Sequence, residues 1–194
     1  RLLRANPRFA LYLCGMLLFG LGGLIPMSLY PVVQVDRLNL SYTEVGLLGM
    51  AQSLAWLSGY LVIGRLVDRL GSARSLQLGF VVNALVMLPY IWATQGWMLL
   101  PSFIAAGLVT AGADLAILYT VSSLAGPERV PDYAALNATV AGLRGLLGPF
   151  IGSVLVSNGW PYWAVFALSA SLTLAGAAAL AFITKPQASV LETQ

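Results

Sequence analysis

Residues 64–76 read GRLVDRLGSARSL, and this charged stretch separates two long apolar runs of the chain. The run before it covers residues 44–66, and apolar residues dominate again over residues 74–93. An apolar helix that stops at a cluster of Gly, Asp and Arg and resumes within a few residues is typical of a tight turn at a membrane surface. The stretch therefore predicts a protein whose helices cross a membrane more than once.

The composition of the whole chain favours the same class of protein. Hydrophobic residues make up 59% of the sequence and charged residues only 9%, against roughly 25% charged residues in soluble domains. The single cysteine, Cys14, excludes an internal disulfide and is predicted to be a small buried apolar residue. The absence of histidine removes the usual proton relay at neutral pH. The net charge of +3 has no basic cluster among aromatic residues, so nucleic-acid binding is not expected.

Six segments are long and apolar enough to cross a bilayer, which takes about 20 residues each. They are predicted near residues 9–33, 44–66, 74–93, 97–124, 133–156 and 163–183. Because their connections are short, neighbours in sequence are expected to run antiparallel. The first segment is too long and too rich in Gly and Pro for a cleavable signal peptide. The sequence thus predicts an all-α integral membrane protein, with residues 1–194 forming a single six-helix transmembrane domain.

The stretch at residues 64–76 resembles the signature loop of the major facilitator superfamily, G-x-L-[AV]-D-R-x-G-[RK]-[RK], which joins the second and third helices of a six-helix half. The positions that agree with this pattern are Gly64, Leu66, Val67, Asp68, Arg69 and Gly71. Ser72 and Ala73 replace the usual basic pair, and Arg74 stands one position late. The resemblance implies half of a major-facilitator fold, built as a 3+3 inverted repeat. It also implies a secondary transporter that moves a small-molecule substrate by alternating access, for which we expect coupling to protons.

The resemblance covers half of a transporter, because such proteins contain twelve helices. The sequence begins with Arg rather than Met, as expected of a fragment of a longer protein. The degenerate signature loop favours the C-terminal half of a longer transporter over the N-terminal half. Six helices alone enclose no complete path across the bilayer. We therefore expect a second six-helix half as a partner, either in the same polypeptide or in a homodimer.

The positions of Lys and Arg predict the orientation, since these residues are retained on the cytoplasmic side of a membrane. The basic residues in the loops of one side are Arg1, Arg4, Arg8, Arg65, Arg69, Arg74, Arg129 and Lys185. Only Arg37 lies in a loop of the other side. Both termini are therefore expected to be cytoplasmic, and a bacterial inner membrane is the expected location.

Asp114 and Arg144 are charged residues in the interiors of the fourth and fifth predicted helices. A charge there costs at least about 2.5 kcal/mol, and both lie equally far from the turn at residues 125–132, roughly 15 Å below the surface. A pair between the two helices is therefore expected. Its role is either a static strut or a switchable site for a proton or a cationic substrate, and separate locations are a third possibility. By the resemblance, the fourth helix lines the central cavity, which places Asp114 beside the substrate.

The charged loop is the second candidate site. Asp68 is predicted to accept hydrogen bonds from backbone N–H groups at the start of the third helix, and Arg69 and Arg74 to contact lipid phosphates or a helix end. In the superfamily this loop docks the two halves together in the outward-facing state. The resemblance thus implies a gating loop formed by Gly64, Asp68, Arg69, Gly71 and Arg74. The alternative is a plain turn that Gly71 keeps short.

The fifth predicted helix has a small and kinked face, formed by Gly142, Gly145, Gly148, Pro149 and Gly152. Close helix packing and a hinge are both compatible with this composition. The face resembles the superfamily's antiporter pattern G-P-x-x-G-G. Because Ser153 replaces the last glycine and Arg144 an earlier one, symport, antiport and uniport remain open.

Other chemistry has no support in the sequence. It contains no nucleotide-binding loop, no paired catalytic carboxylates and no metal-ligand spacing, so no enzyme, cofactor or metal centre is expected. Two alternatives to a transporter remain: a six-helix scaffold or assembly subunit without transport, and a membrane enzyme or lipid-handling protein that uses Asp114. The milder polar residues, which either line a path or bridge helices, are Gln52, Ser53, Asn83, Thr110, Asn137 and Thr139.

Overall fold

The computed structural model describes the backbone of residues 7–125 and 129–184, and their side chains except those of residues 72, 114–121, 123–125 and 182–184. Over this part the chain is all-α, without strands, and has six apolar helices of membrane length. They are α1 (Pro7–Arg37), α2 (Tyr42–Leu70), α3 (Ser72–Trp92), α4 (Leu100–Ala125), α5 (Val130–Ser157) and α6 (Tyr162–Thr184).

Two helices extend four residues beyond their predicted ends. α1 runs to Arg37 instead of residue 33, and α2 runs to Leu70 instead of residue 66. The added turns carry charged side chains, such as Asp36 and Asp68. A helix can continue through charged residues where it leaves the bilayer, because its hydrogen bonds are made within the backbone. The end of the apolar stretch therefore marked the membrane boundary and not the end of the helix.

The start of α2 is fixed by a capping box. Ser41 precedes the helix in an extended conformation, and its Oγ accepts a hydrogen bond from the Glu44 backbone N–H at 3.3 Å. The Glu44 carboxylate in turn accepts from the Ser41 backbone N–H at 2.8 Å. These reciprocal bonds satisfy two backbone donors that would otherwise lack partners at the helix end. The helix consequently begins at Tyr42, two residues before its predicted start.

The second half of α1 is irregular. The α-helix Pro7–Leu24 passes into a 3₁₀ turn at Ile25–Ser28, returns to α-helix at Leu29–Val32 and ends in a π turn at Val33–Arg37. Pro26 lies in the first turn of the 3₁₀ segment, where a proline's missing N–H is tolerated. The helix therefore changes its winding in the region that α5 contacts.

The six helices pack with the symmetry of an inverted repeat. α1 packs against α5 and α6, and correspondingly α4 packs against α2 and α3. The third large contact joins α3 to α6. Exchanging the first three helices with the last three maps this set of contacts onto itself. The fold is thus a 3+3 inverted repeat of the kind that builds one half of a twelve-helix transporter.

The buried core is formed mainly by α1, α3 and α6. Near the α2–α3 turn, Phe19 of α1 stacks on Phe80 of α3 with ring centroids 4.0 Å apart. Near the other end of the bundle, Tyr90 of α3 stacks on Phe166 of α6 at 5.1 Å, and Tyr30 of α1 lies 4.8 Å from Tyr90. The first and third of these contacts pack α1 on α3 within the first repeat, and the Tyr90–Phe166 contact joins the two repeats.

Cys14 lies on an exposed face of α1, so its predicted burial is wrong. The same helix buries Tyr12, Leu13 and Met16 against its neighbours. Lipid tails are as apolar as a protein core, and an apolar residue in a membrane helix can therefore face either. Residue type alone did not distinguish the two environments.

Candidate functional site

The turn between α2 and α3 consists of a single non-helical residue, Gly71. Its φ of 81° and ψ of 160° lie in a region that is essentially restricted to glycine. The Gly71 N–H donates to the Val67 carbonyl at 2.9 Å, and the Gly71 carbonyl accepts from both the N–H and the Oγ of Ser75. One glycine therefore ends α2 and starts α3, and the charged residues before it are helical instead of forming a loop.

Asp68 does not cap α3, which corrects the predicted hydrogen bonds. It lies in the last turn of α2 and is exposed, and the residue that caps α3 is Gly71, without a side-chain hydrogen bond. Arg69 and Arg74 are also exposed. Within the described part of the chain, none of these three charged side chains has an ion-pair or hydrogen-bond partner. A carboxylate at the C-terminal end of a helix is disfavoured by that helix's dipole, so Asp68 gains no stability from α2.

Arg144 of α5 binds the backbone of α1. Its guanidinium Nη1 donates to the Met16 carbonyl at 2.8 Å, and its half-buried side chain lies across Gly20. A Cβ atom added at Gly20 would come within 2.7 Å of the same Nη1 atom. The glycine therefore leaves room for the arginine to lie against α1, and this partly buried hydrogen bond joins the two helices.

The predicted partner of Arg144, the Asp114 side chain, lies outside the described residues. The helix that carries it, α4, packs mainly against α2 and α3, whereas α5 packs mainly against α1. The two helices that are neighbours in sequence are thus not close neighbours in the bundle. The pair between Asp114 and Arg144 stays a prediction, and the Met16 carbonyl is a partner that the sequence could not indicate.

The glycines of α5 fall into two groups. Gly148 packs on α1, where an added Cβ would lie 2.5 Å from the Leu24 Cβ, and Gly152 packs on the Ile25 carbonyl. Added Cβ atoms at Gly142 and Gly145 would meet nothing within 4 Å. Pro149, between the close-packed pair, lies within the continuous helix. Only the second half of the predicted face therefore packs closely on another helix.

The other repeat has a matching close contact. An added Cβ at Gly107 of α4 would lie 2.8 Å from the Trp56 backbone nitrogen of α2. Gly59 of α2 approaches α4 in the same way, with 2.9 Å from an added Cβ to the Ala111 Cβ. Both repeat-related helix pairs, α1–α5 and α4–α2, are therefore held together by glycine contacts.

Two recesses lie beside these contacts. A cavity of about 190 Å³ is formed between α1, α2, α3 and α4, and its wall includes Gln34, Tyr90 and Ser102. A neighbouring groove of about 410 Å³ runs between α2 and α4, and Gln52 lines both. The sequence singled out Gln52 but missed Gln34 and Tyr90, because a polar residue near a helix end and a tyrosine resemble ordinary interface residues.

Of the remaining polar candidates, Asn83 is buried and its Nδ2 has no hydrogen-bond partner among the described residues, whereas the others form hydrogen bonds. Asn137 accepts a hydrogen bond from the Tyr12 hydroxyl at 3.3 Å and so bridges α5 and α1. The hydroxyls of Ser53, Thr110 and Thr139 each donate to a carbonyl of their own helix. These bonds satisfy the hydroxyl groups without a second helix, which leaves the side chains free to border a path.

Residues 4–194 match the family described as Major Facilitator Superfamily, which covers the charged stretch and all six helices. No curated protein matches the chain significantly.

Proposed function

Because the chain belongs to the major facilitator superfamily, a family of transporters, we propose that it is one six-helix half of a secondary active transporter. In this proposal the chain moves a small solute by alternating access and needs a second half, from the same polypeptide or from another copy. The observation that carries the proposal is the burial pattern of the helices. Only 17% of the apolar span of α2 and 11% of that of α5 are buried, against 33–50% in the other four. These two helices occupy equivalent places in the repeat, as expected for surfaces that a second half covers.

The proposed movement treats the packed body as a unit. The aromatic contacts of α1, α3 and α6 and the glycine contacts of α1–α5 and α4–α2 support this view. Close-packed contacts of this kind switch between discrete arrangements instead of deforming gradually. The half therefore tilts as one body against its partner, and solute access alternates between the two ends of the interface.

Proton coupling is proposed for Asp114. It is the only acidic residue deep inside any of the six spans, and the chain has no histidine to take this role. An ionisable residue inside the membrane is a candidate for a proton pathway by default. In this scheme Arg144, held by the Met16 carbonyl, provides a fixed positive charge within the same half that favours the ionised form of Asp114.

The α2–α3 turn is proposed as the gate. Asp68 gains nothing from its own helix and has no partner within the described residues, which is the arrangement expected of a group that binds the second half. Its side of the protein is proposed to face the cytoplasm with both termini, in a bacterial inner membrane, because the basic loop residues lie there.

Reciprocal labelling tests alternating access without a known substrate. Single cysteines replace Gln52 of α2 or Thr139 of α5 in a Cys14→Ser background of the complete transporter; the two positions lie about 15 Å from opposite ends of the bundle. A downward step in pH should raise the labelling rate at one position and lower it at the other. Rates that change together, or not at all, would reject alternating access.

Asp68→Asn tests the gate in the same assay. We expect this substitution to shift the ratio of the two labelling rates, whereas Asp132→Asn, which removes an exposed carboxylate from the first turn of α5, should leave it unchanged. Equal ratios in both variants would contradict a gating role.

A cysteine at Asn158 tests the orientation, because it should react with an impermeant reagent added from outside the cell.

A further inference from the structure

The 190 Å³ cavity lies at the end of the bundle opposite the α2–α3 turn. It is bordered by the end of α1, the end of α3 and the start of α4, with Gln52 contributed by α2. Its volume exceeds the roughly 150 Å³ of an engineered apolar cavity that binds benzene. A six-membered ring with one small substituent therefore fits the space.

The wall of the cavity combines aromatic rings with neutral hydrogen-bonding groups. Tyr30, Tyr90 and Phe103 supply the rings. The Gln34 amide donates to the Tyr90 hydroxyl at 2.8 Å, which leaves the hydroxyl proton of Tyr90 available to a further acceptor. Gln34 is 8% exposed and Tyr90 3%, so this bonded pair is a built part of the protein interior.

Ser102 adds an unsatisfied polar group. It is 1% exposed, and its Oγ has no hydrogen-bond partner among the described residues. A buried hydroxyl without a partner is unfavourable, and such groups are rare in folded proteins. The Oγ itself is covered in the present rotamer, so a molecule that enters the cavity with a hydroxyl or carbonyl group would satisfy it once the serine side chain rotates toward the cavity.

The described lining of the cavity carries no charged side chain. Transfer of an isolated charge into such a site is strongly unfavourable without a counter-charge. A ring is favoured because the aromatic wall offers stacking and edge contacts. The lining therefore selects against ionised solutes and favours neutral ones.

From these features we propose that the cavity binds a neutral solute that contains a compact ring and one hydrogen-bonding group. The inference rests on the proposed function only in treating this solute as cargo, since binding itself needs no transport. Gln34, Tyr90 and Ser102 are the residues that recognise the polar group.

The test uses 4-fluorophenol as the probe and fluorobenzene as its counterpart without a hydroxyl. Binding to the chain in lipid nanodiscs is followed by fluorine NMR, and variants are compared at the same lipid content so that partition into lipid cancels. Tyr90→Phe should weaken the binding of 4-fluorophenol by about twofold to tenfold, the worth of one hydrogen bond, and leave fluorobenzene unaffected. Tyr12→Phe is the matched control, because Tyr12 is a buried tyrosine with one hydrogen bond to a side-chain amide outside the cavity.

A second pair of variants guards against a folding defect in Tyr90→Phe. Ser102→Ala should also weaken the binding of 4-fluorophenol, whereas Ser169→Ala should not, although Ser169 is an equally buried serine without a partner among the described residues. Equal effects within either pair, or equal binding of 4-fluorobenzoate and 4-fluorophenol, would overturn the proposal. Probe binding without reciprocal labelling would refute transport and leave the site standing; reciprocal labelling without probe binding would refute the site alone.

Discussion

Replacing Gly152 with alanine perturbs a close backbone contact between α1 and α5. The added Cβ would lie 3.0 Å from the carbonyl carbon of Ile25 and closer still to its oxygen. Because these are backbone atoms, no side-chain rotation can relieve the clash. The two helices must separate locally, or α1 must shift along its irregular segment.

The expected change in the free energy of unfolding on Gly152→Ala is the sum of two effects of opposite sign. Overpacking of this kind costs about 1–3 kcal/mol, and the alanine returns up to about 1 kcal/mol because glycine is a poor helix former. Gly145→Ala isolates the second part, since an added Cβ at Gly145 meets nothing within 4 Å on the same helix. The free energy of unfolding should therefore be about 1–3 kcal/mol lower for Gly152→Ala than for Gly145→Ala.

The measurement is equilibrium unfolding in mixed detergent micelles, followed by tryptophan fluorescence and by helical circular dichroism. Gly148→Ala provides a third point, because its added Cβ would meet the Leu24 Cβ at 2.5 Å and the Leu24 carbonyl carbon at 3.1 Å. We expect both close-packed variants to be less stable than Gly145→Ala. Equal stability of the three variants would refute the argument that glycine contacts hold α1 against α5.

The remaining predictions concern the turn and the buried arginine. Gly71→Ala should lower the free energy of unfolding by about 1–3 kcal/mol, because alanine at this backbone conformation is strained. Gly79→Ala is the control and should be neutral or stabilising, because an added Cβ at Gly79 of α3 meets nothing within 4 Å. Equal thermal stabilities of the two variants would contradict this prediction. Arg144→Gln should cost about 1.5–3 kcal/mol, because it removes the hydrogen bond from the charged guanidinium to the Met16 carbonyl. In a thermal double-mutant cycle, Asp114→Asn should recover part of this loss, and strict additivity would show that the charges do not meet.

The six spans were readable from the sequence because the length of an apolar stretch is set directly by the thickness of the bilayer. Which helices pack against each other could not be predicted from the sequence in this way. Sequence order suggested contact between α4 and α5, but α5 packs on α1, because the repeat places helices by symmetry and not by order. The glycines of α5 were visible, yet only the neighbouring helix decides that Gly152 is packed and Gly145 is free.

The candidate sites divide in the same way. The charged stretch was recognised from its residue types. In the structure, however, α2 continues through Asp68 and ends at Gly71, so Asp68 does not cap α3 as predicted. The sequence showed that the Arg144 charge is energetically unfavourable within a membrane helix. Its observed acceptor is a backbone carbonyl. Every residue has such a carbonyl, so no sequence pattern could identify this partner. The cavity at Tyr90 depends on four helices meeting, and no local stretch contains that information.

The single-residue joint at Gly71 also has a mechanical consequence. In the proposed one-body tilt α2 stays packed on α4, and the half pivots where the charged turn docks on the second half, so that α2 spans the lever arm of the whole half. With 29 residues, this arm is about 43 Å long. A rotation of about 5° at the pivot displaces the Tyr42 end by about 4 Å, more than the diameter of a water molecule, while the charged end scarcely moves. A small tilt at one membrane surface is thereby converted into an opening at the other.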